Sequence, residues 1–134
     1  MRTAQIAVQC YTLREHLRTA EDFAASMRRV RAVGYEAIQV SGVGPIPARE
    51  IRRMTDAEGL RICATHEPAL DILERPEAVV DRLGALGCTL TAYPMPHFAL
   101  TTLTDVERLA DGLNRSGAVL KAAGMTLTYH NHDL

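Results

Sequence analysis

Four glycines constrain the fold of this chain more than any other feature. Each closes a helix-like stretch and is followed at once by a short β-prone run: Gly34 before Tyr35 to Val40, Gly59 before Leu60 to Thr65, Gly87 before Cys88 to Tyr93, and Gly124 before Met125 to His130. Glycine just past a helix adopts the left-handed conformation that turns the chain back, so each one reads as a helix-to-strand corner. With Gln5 to Gln9 as an opening strand, the predicted order is β-α-β-α-β-α-β-α-β. Strands alternating with helices of this length lie parallel, because each crossover returns the chain to its starting edge. A closed (β/α)8 barrel takes roughly 250 residues, and this sequence has 134. The expected fold is therefore α/β, of the (β/α)8 TIM-barrel type with only the first half present: about five parallel strands and four helices, in one domain over residues 1–134. The strands should run in the order 1-2-3-4-5, with the helices on the outer face only.

Composition narrows the function classes. At 47% hydrophobic the chain can bury a core, and no stretch approaches the ~20 apolar residues of a membrane span. Met1-Arg2-Thr3-Ala4-Gln5 leads straight into the first strand, which reads as no signal peptide. Cys10, Cys63 and Cys88 each fall in or beside a predicted strand with no CxxC spacing, as expected of buried thiols in a reducing, cytoplasmic setting. A formal charge of -1 provides no electrostatic footprint for nucleic acid or an anionic membrane.

Periodicity places the helices. Phe23, Met27, Val30 and Val33 form one stripe over Ala20 to Val33, and Arg28, Arg29 and Arg31 lie opposite, read as a solvated face over a phosphate cluster. A second helix from Pro47 to Gly59 buries Ile51, Met54 and Ala57. A third starts near Pro76 and uses Val79, Val80, Leu83 and Leu86. The fourth, Leu103 to Ala123, presents Val106, Leu109, Leu113, Val119 and Leu120, has Thr104 as its candidate N-cap, and carries Gly112 and Gly117 where a kink or break is expected.

The connections differ by end. Helix-to-strand links are a single glycine or nearly so, whereas strand-to-helix links are long: Cys10 to Thr19, Ser41 to Ile46, His66 to Arg75 and Pro94 to Thr102. In α/β barrels and open sheets, ligands bind outside the carboxyl ends of the strands, where this chain has placed its loop length. Strand parity assigns Gln5, Ala7 and Gln9 to one face, and likewise Ala37, Gln39 and Ser41, then Thr89, Thr91 and Tyr93, then Thr126, Thr128, His130 and His132. These make a small and polar inner face opposite an apolar, helix-covered one; on the third strand either Thr65 or His66 claims the inner side.

Tyr129-His130-Asn131-His132-Asp133 is the most chemically loaded string. His130 and His132 share a parity, so both could ligate one metal ion; Asp133 has the opposite parity. The alternative is one histidine hydrogen-bonded in a polar core and the other at a strand end. His66 ends the third strand and His97 follows the fourth, so three strand ends deliver histidine to one rim. Glu67 is a candidate base by position alone. Nucleophile-elbow and phosphate-loop motifs are missing from the sequence.

At these residues the chain resembles the sugar phosphate isomerases/epimerases of the xylose isomerase-like TIM barrels. The matching strings are Gln9-Cys10-Tyr11-Thr12-Leu13-Arg14, Gly34-Tyr35-Glu36-Ala37-Ile38-Gln39-Val40-Ser41-Gly42, Gly59-Leu60-Arg61-Ile62-Cys63-Ala64-Thr65-His66 and Tyr129-His130-Asn131-His132-Asp133. The resemblance implies an enzyme that moves a proton between adjacent carbons of a sugar or sugar phosphate, with a divalent metal (Mn, Mg, Co or Zn) holding the substrate oxygens. It places Gln9, Tyr11, Gln39, His66 and His97 among the substrate-binding residues, and His130, with His132, where relatives begin the metal-ligand set. The family continues with an aromatic residue and a glutamate where this sequence has Leu134, and it takes its remaining ligands from strands six to eight. The expectation is thus a truncated half-barrel, inactive alone, that self-associates through its open edges. Two other readings stand beside it: a non-catalytic sugar-binding or self-assembling module, and an endonuclease IV type relative, which the net charge disfavours.

Overall fold

The computed structural model describes residues 5–132. Five parallel strands form one sheet in the order β1-β2-β3-β4-β5: β1 Val8–Gln9, β2 Ala37–Val40, β3 Arg61–His66, β4 Leu90–Tyr93 and β5 Thr126–Tyr129. The crossovers carry α1 Ala20–Val33, α2 Ala48–Ala57, α3 Ala69–Glu74, α4 Pro76–Leu86 and α5 Leu103–Ala122, neighbouring helices packing on one another in a single layer. This is half of a TIM barrel, with both sheet edges open among the described residues. The four corner glycines all have positive φ, from 64° at Gly59 to 106° at Gly34.

Several local features depart from the sequence expectation. The segment after β1 winds into a 3-10 helix, Cys10–His16, and the one after β3 contains the short α3. The cap of α5 is Thr102, not Thr104: Thr102 accepts from the Asp105 amide, and Asp105 accepts from the Thr102 amide in return. That helix runs unbroken through Gly112 and Gly117. Gly112 is buried, and a Cβ there would come within 3.0 Å of Leu73, so its bare backbone lets α5 approach α3. Val33 is 75% exposed and Val106 48%, so neither joins the core, and on α2 Thr55 is buried in place of the exposed Ala57.

The core divides in two. One cluster packs Phe23, Met27, Ile51 and Leu86 beneath Ile38, Val40 and Ile62; the other gathers Ile72, Val79, Leu83, Leu109 and Leu120 around Tyr93. Burial of each such side chain contributes roughly 1.5–3 kcal/mol. Tyr93 and Thr91 thus face the helices, and Leu90 and Ala92 lie on the inner side, the reverse of the parity expected for β4. Thr65 and Thr91, both fully buried, satisfy one another with an Oγ1–Oγ1 hydrogen bond of 2.9 Å, which removes the cost of placing hydroxyls under helices.

A bulge settles the ambiguity in β3. Ile38 pairs with Ile62 but Gln39 pairs with Ala64, leaving Cys63 as the extra residue, its thiol donating to the Ile38 carbonyl. Beyond the bulge Thr65 aligns with Val40 on the helix side, so His66 takes the inner face, in register with Ala92 on β4 and, through it, Thr128 on β5.

Candidate functional site

The inner face at the carboxyl ends of the strands brings three imidazoles together. The His66 and His130 ring centroids are 4.8 Å apart, edge to face, and His130 and His132 are also 4.8 Å apart. On β4 the residue in register with His66 is the small Ala92, which pairs in turn with Thr128, two positions before His130. Burial pushes the His66 pKa down, and the neighbouring His130 and His132 push it further the same way. His66 is therefore a neutral imidazole at neutral pH, with one nitrogen to donate and one to accept. His132 Nε2 lies 3.0 Å from the Pro94 carbonyl oxygen.

His97 is engaged elsewhere. Its Nδ1 is 3.3 Å from the Tyr93 hydroxyl and its ring packs edge-on against Phe98, which ties it to the helix-side core and not to the imidazole cluster. The convergence of histidines therefore comes from β3 and β5.

At the other end of the rim a relay fixes the loop after β1. The Tyr11 amide donates to Ser41 Oγ at 3.2 Å, and Ser41 donates to Gln39 Oε1 at 2.9 Å. Gln39 Nε2 is buried without a partner, a donor pointing to a hydrogen-bond acceptor still to be supplied. Gly42 has φ +63°, and a Cβ on it would lie 2.8 Å from the Tyr11 ring, so Tyr11 sits where only glycine leaves room. The Tyr11 ring, 54% exposed, is covered on one side by the Arg14 guanidinium at 4.5 Å. Gln9, in register with Gln39, is exposed at the open edge.

A crevice of about 530 Å3 runs between Tyr11 and His66, lined also by Ser41, Glu67, Asp71 and Arg82 among others. Ser41 and Arg82 were not among the site residues expected from sequence, whereas Glu67 was a candidate base by position. Ser41 shared the parity of Gln39 and could have been found that way; Arg82 lies fifteen positions beyond Glu67 on a separate helix, and no local pattern links them.

The metal expected from the resemblance finds an incomplete donor set here. No group of three or more His, Cys, Asp or Glu side chains placed to hold a metal ion occurs among the described residues, and His130 and His132 offer two donors at most. Asp133 and Leu134 lie outside the described residues. No helix among the described residues is long and apolar enough to cross a membrane, and the three cysteines are unpaired.

No protein-family model matches the sequence, and no curated protein is significantly similar to it. Among solved structures, the fold superimposes on a sugar phosphate isomerase/epimerase from Parabacteroides distasonis with a TM-score of 0.81 at 21% identity, covering 98% of this chain and 52% of that one. A sugar phosphate isomerase/epimerase structure from the same organism gives a TM-score of 0.80 at 26% identity over 95% of this chain and 54% of that one. A xylose isomerase-like TIM barrel protein from Mycobacterium smegmatis, solved in complex with magnesium, gives 0.72 at 16% identity, with 99% and 57% covered. The chain spans about half the length of these structures. Its five sequential parallel strands form half of a TIM barrel, and the solved structures it superimposes on include sugar phosphate isomerases/epimerases and a xylose isomerase-like TIM barrel protein.

Proposed function

We propose that residues 1–134 form the first half of a sugar isomerase/epimerase barrel whose activity is to move a proton between adjacent carbons of a sugar. The observation that carries this reading is the imidazole cluster of His66 and His130 at the carboxyl rim of a fold shared with such enzymes. On this reading the unpartnered Gln39 amide and the exposed Gln9 hydrogen-bond sugar oxygens, Tyr11 offers a flat face to the ring, and neutral His66 accepts or donates a hydrogen bond at a hydroxyl. His97 supports the rim through Tyr93. The described residues do not complete a metal site, so no step is assigned to a metal ion held by them alone. Free thiols at Cys10, Cys63 and Cys88 favour a reducing, cytoplasmic setting.

The test is solvent-deuterium incorporation into a panel of ketoses and ketose phosphates, followed by NMR. The chain by itself should be inactive, and supplying strands six to eight in fusion should give deuterium at the carbon beside the carbonyl. A closed, folded barrel that exchanges none of the panel would overturn the assignment.

A further inference from the structure

Glu67 follows β3 directly and is only 2% exposed. Its Oε2 accepts from Arg82 Nε at 2.8 Å, while Oε1 is buried with no hydrogen-bond partner. It lines the crevice between the carboxyl ends of β2 and β3, together with Tyr11, Ser41, His66 and Asp71. The charges there are already matched: Arg82 pairs with Glu67, and Arg75 with Asp71.

An ionised carboxylate oxygen has lone pairs and no hydrogen, so only a donor can satisfy Oε1. A phosphate at neutral pH brings acceptor oxygens and negative charge, and it would meet two carboxylates whose cations are committed. Turning Arg82 towards a phosphate would strip Glu67 of its sole partner and leave a buried charge unpaired. A hydroxyl brings a donor without charge.

We infer that this crevice is a subsite for the unphosphorylated, hydroxyl-bearing end of a sugar, with Glu67 Oε1 accepting one hydroxyl hydrogen. The inference rests on the sugar site proposed above and narrows its substrate class: whatever binds elsewhere on the rim, the group seated beside Glu67 is a neutral polyol. Glu67 is then a specificity residue, selecting through the charge and the hydrogen-bonding sense of a single oxygen atom.

The experiment is an NMR titration of the whole chain, in 1H–15N spectra, with D-fructose and separately with D-fructose 6-phosphate. D-Fructose should shift the amides of Ser41, Gly42, Glu67 and Asp71, and the phosphorylated sugar should bind there at least about tenfold more weakly. Glu67→Gln removes the charge at nearly constant shape, and should bring the two affinities towards equality. Equal or tighter binding of the phosphate beside Glu67 in the unmodified chain overturns the inference, and this comparison decides the matter even if the variant does not fold. Shifts by both sugars confined to Gln9, Gln39 and His66 also overturn it, while leaving the sugar site standing. Absence of any shift with either sugar overturns the sugar site and this subsite together.

Discussion

His66 from β3 and His130 from the end of β5 meet edge to face at 4.8 Å, across β4, on which the small Ala92 is in register with His66. Two imidazoles at this distance cannot both take up protons without mutual repulsion. At His66 burial adds to that repulsion.

His66 should therefore titrate below the ordinary histidine value of 6.5, because burial first, and His130 and His132 second, disfavour its cation. The sign for stability follows. Above pH 6.5 the group is neutral in both states and contributes nothing; as pH falls through 6.5 the unfolded chain gains a proton that the folded one does not, and stability is lost until the folded-state pKa is reached. His130→Ala should raise the His66 pKa and reduce this loss. NMR titration of the His66 ring protons, together with denaturant unfolding at pH 5.5 and 7.5, measures both; an unmoved His66 pKa in the variant would remove the coupling.

Gly42→Ala should destabilise the chain by about 1–2 kcal/mol for the left-handed backbone alone, because its φ is +63°. A further cost arises where the new Cβ would meet the Tyr11 ring at 2.8 Å. Urea unfolding gives the magnitude, and Tyr11 fluorescence or ring chemical shifts should report its displacement. Gly34→Ala, at φ +106° with nothing within 4 Å, should carry backbone strain and leave Tyr11 unmoved.

The Glu67–Arg82 pair joins the end of β3 to α4. Arg82→Met should cost roughly 3 kcal/mol, the low end for breaking a buried pair, since Arg82 is 38% exposed and Glu67 is not. Adding Glu67→Gln should recover part of that loss, because the orphaned charge is gone. Thermal and chemical denaturation of the four forms yields the coupling energy; a double variant less stable than Arg82→Met alone would contradict it.

How far these features were legible in the sequence depended on whether they were set locally. The corner glycines and the apolar stripe of Phe23, Met27 and Val30 depend on residues a few positions apart, and the strand order followed from them. Parity left β3 open and failed at β4, in both cases for identifiable reasons. In β3 the bulge at Cys63 inserts one residue and shifts every later side chain, which alternation cannot register. In β4 the polar-inside rule misplaced Thr91 because its hydroxyl finds Thr65 on the neighbouring strand, and Tyr93 is large enough to be the centre of the second core cluster. The site divided in the same way. His66 and His130 could be placed on one rim by strand position, but the capture of His97 by Tyr93 and the reach of Arg82 to Glu67 are tertiary contacts without a sequence signature.

Open edges should make the isolated chain self-associate. Among the described residues β1 and β5 each lack a neighbour on one side, and exposed apolar side chains stand beside them: Ile6 at 37% and Val33 at 75% near β1, Tyr129 at 44% on β5. Unpaired strand edges with adjacent apolar surface recruit partners. Sedimentation velocity should show weight-average mass rising with concentration in the micromolar range, and Val33→Lys with Ile6→Lys should lower it. A monomer at every concentration would show that the edges are protected.

Divalent metal should bind the described residues only weakly. Two imidazoles two positions apart supply at most two of the three or more protein ligands that a catalytic centre employs, and both belong to a segment beyond the last strand, where fixing them costs conformational entropy. Stabilisation by a ligand grows as RT ln(1 + [L]/Kd), so a metal present below its Kd leaves the melting temperature nearly unchanged. Micromolar zinc or manganese should therefore produce no appreciable thermal shift in the isolated chain, and calorimetric titration should show only low-affinity binding that disappears in His130→Ala. Closing the barrel would add donors from further strands, and the same titration on the fused, closed form should then turn tight. Tight binding by the isolated chain would mean that the three imidazoles of His66, His130 and His132 rearrange into a full set, and the argument from donor number would fall with it.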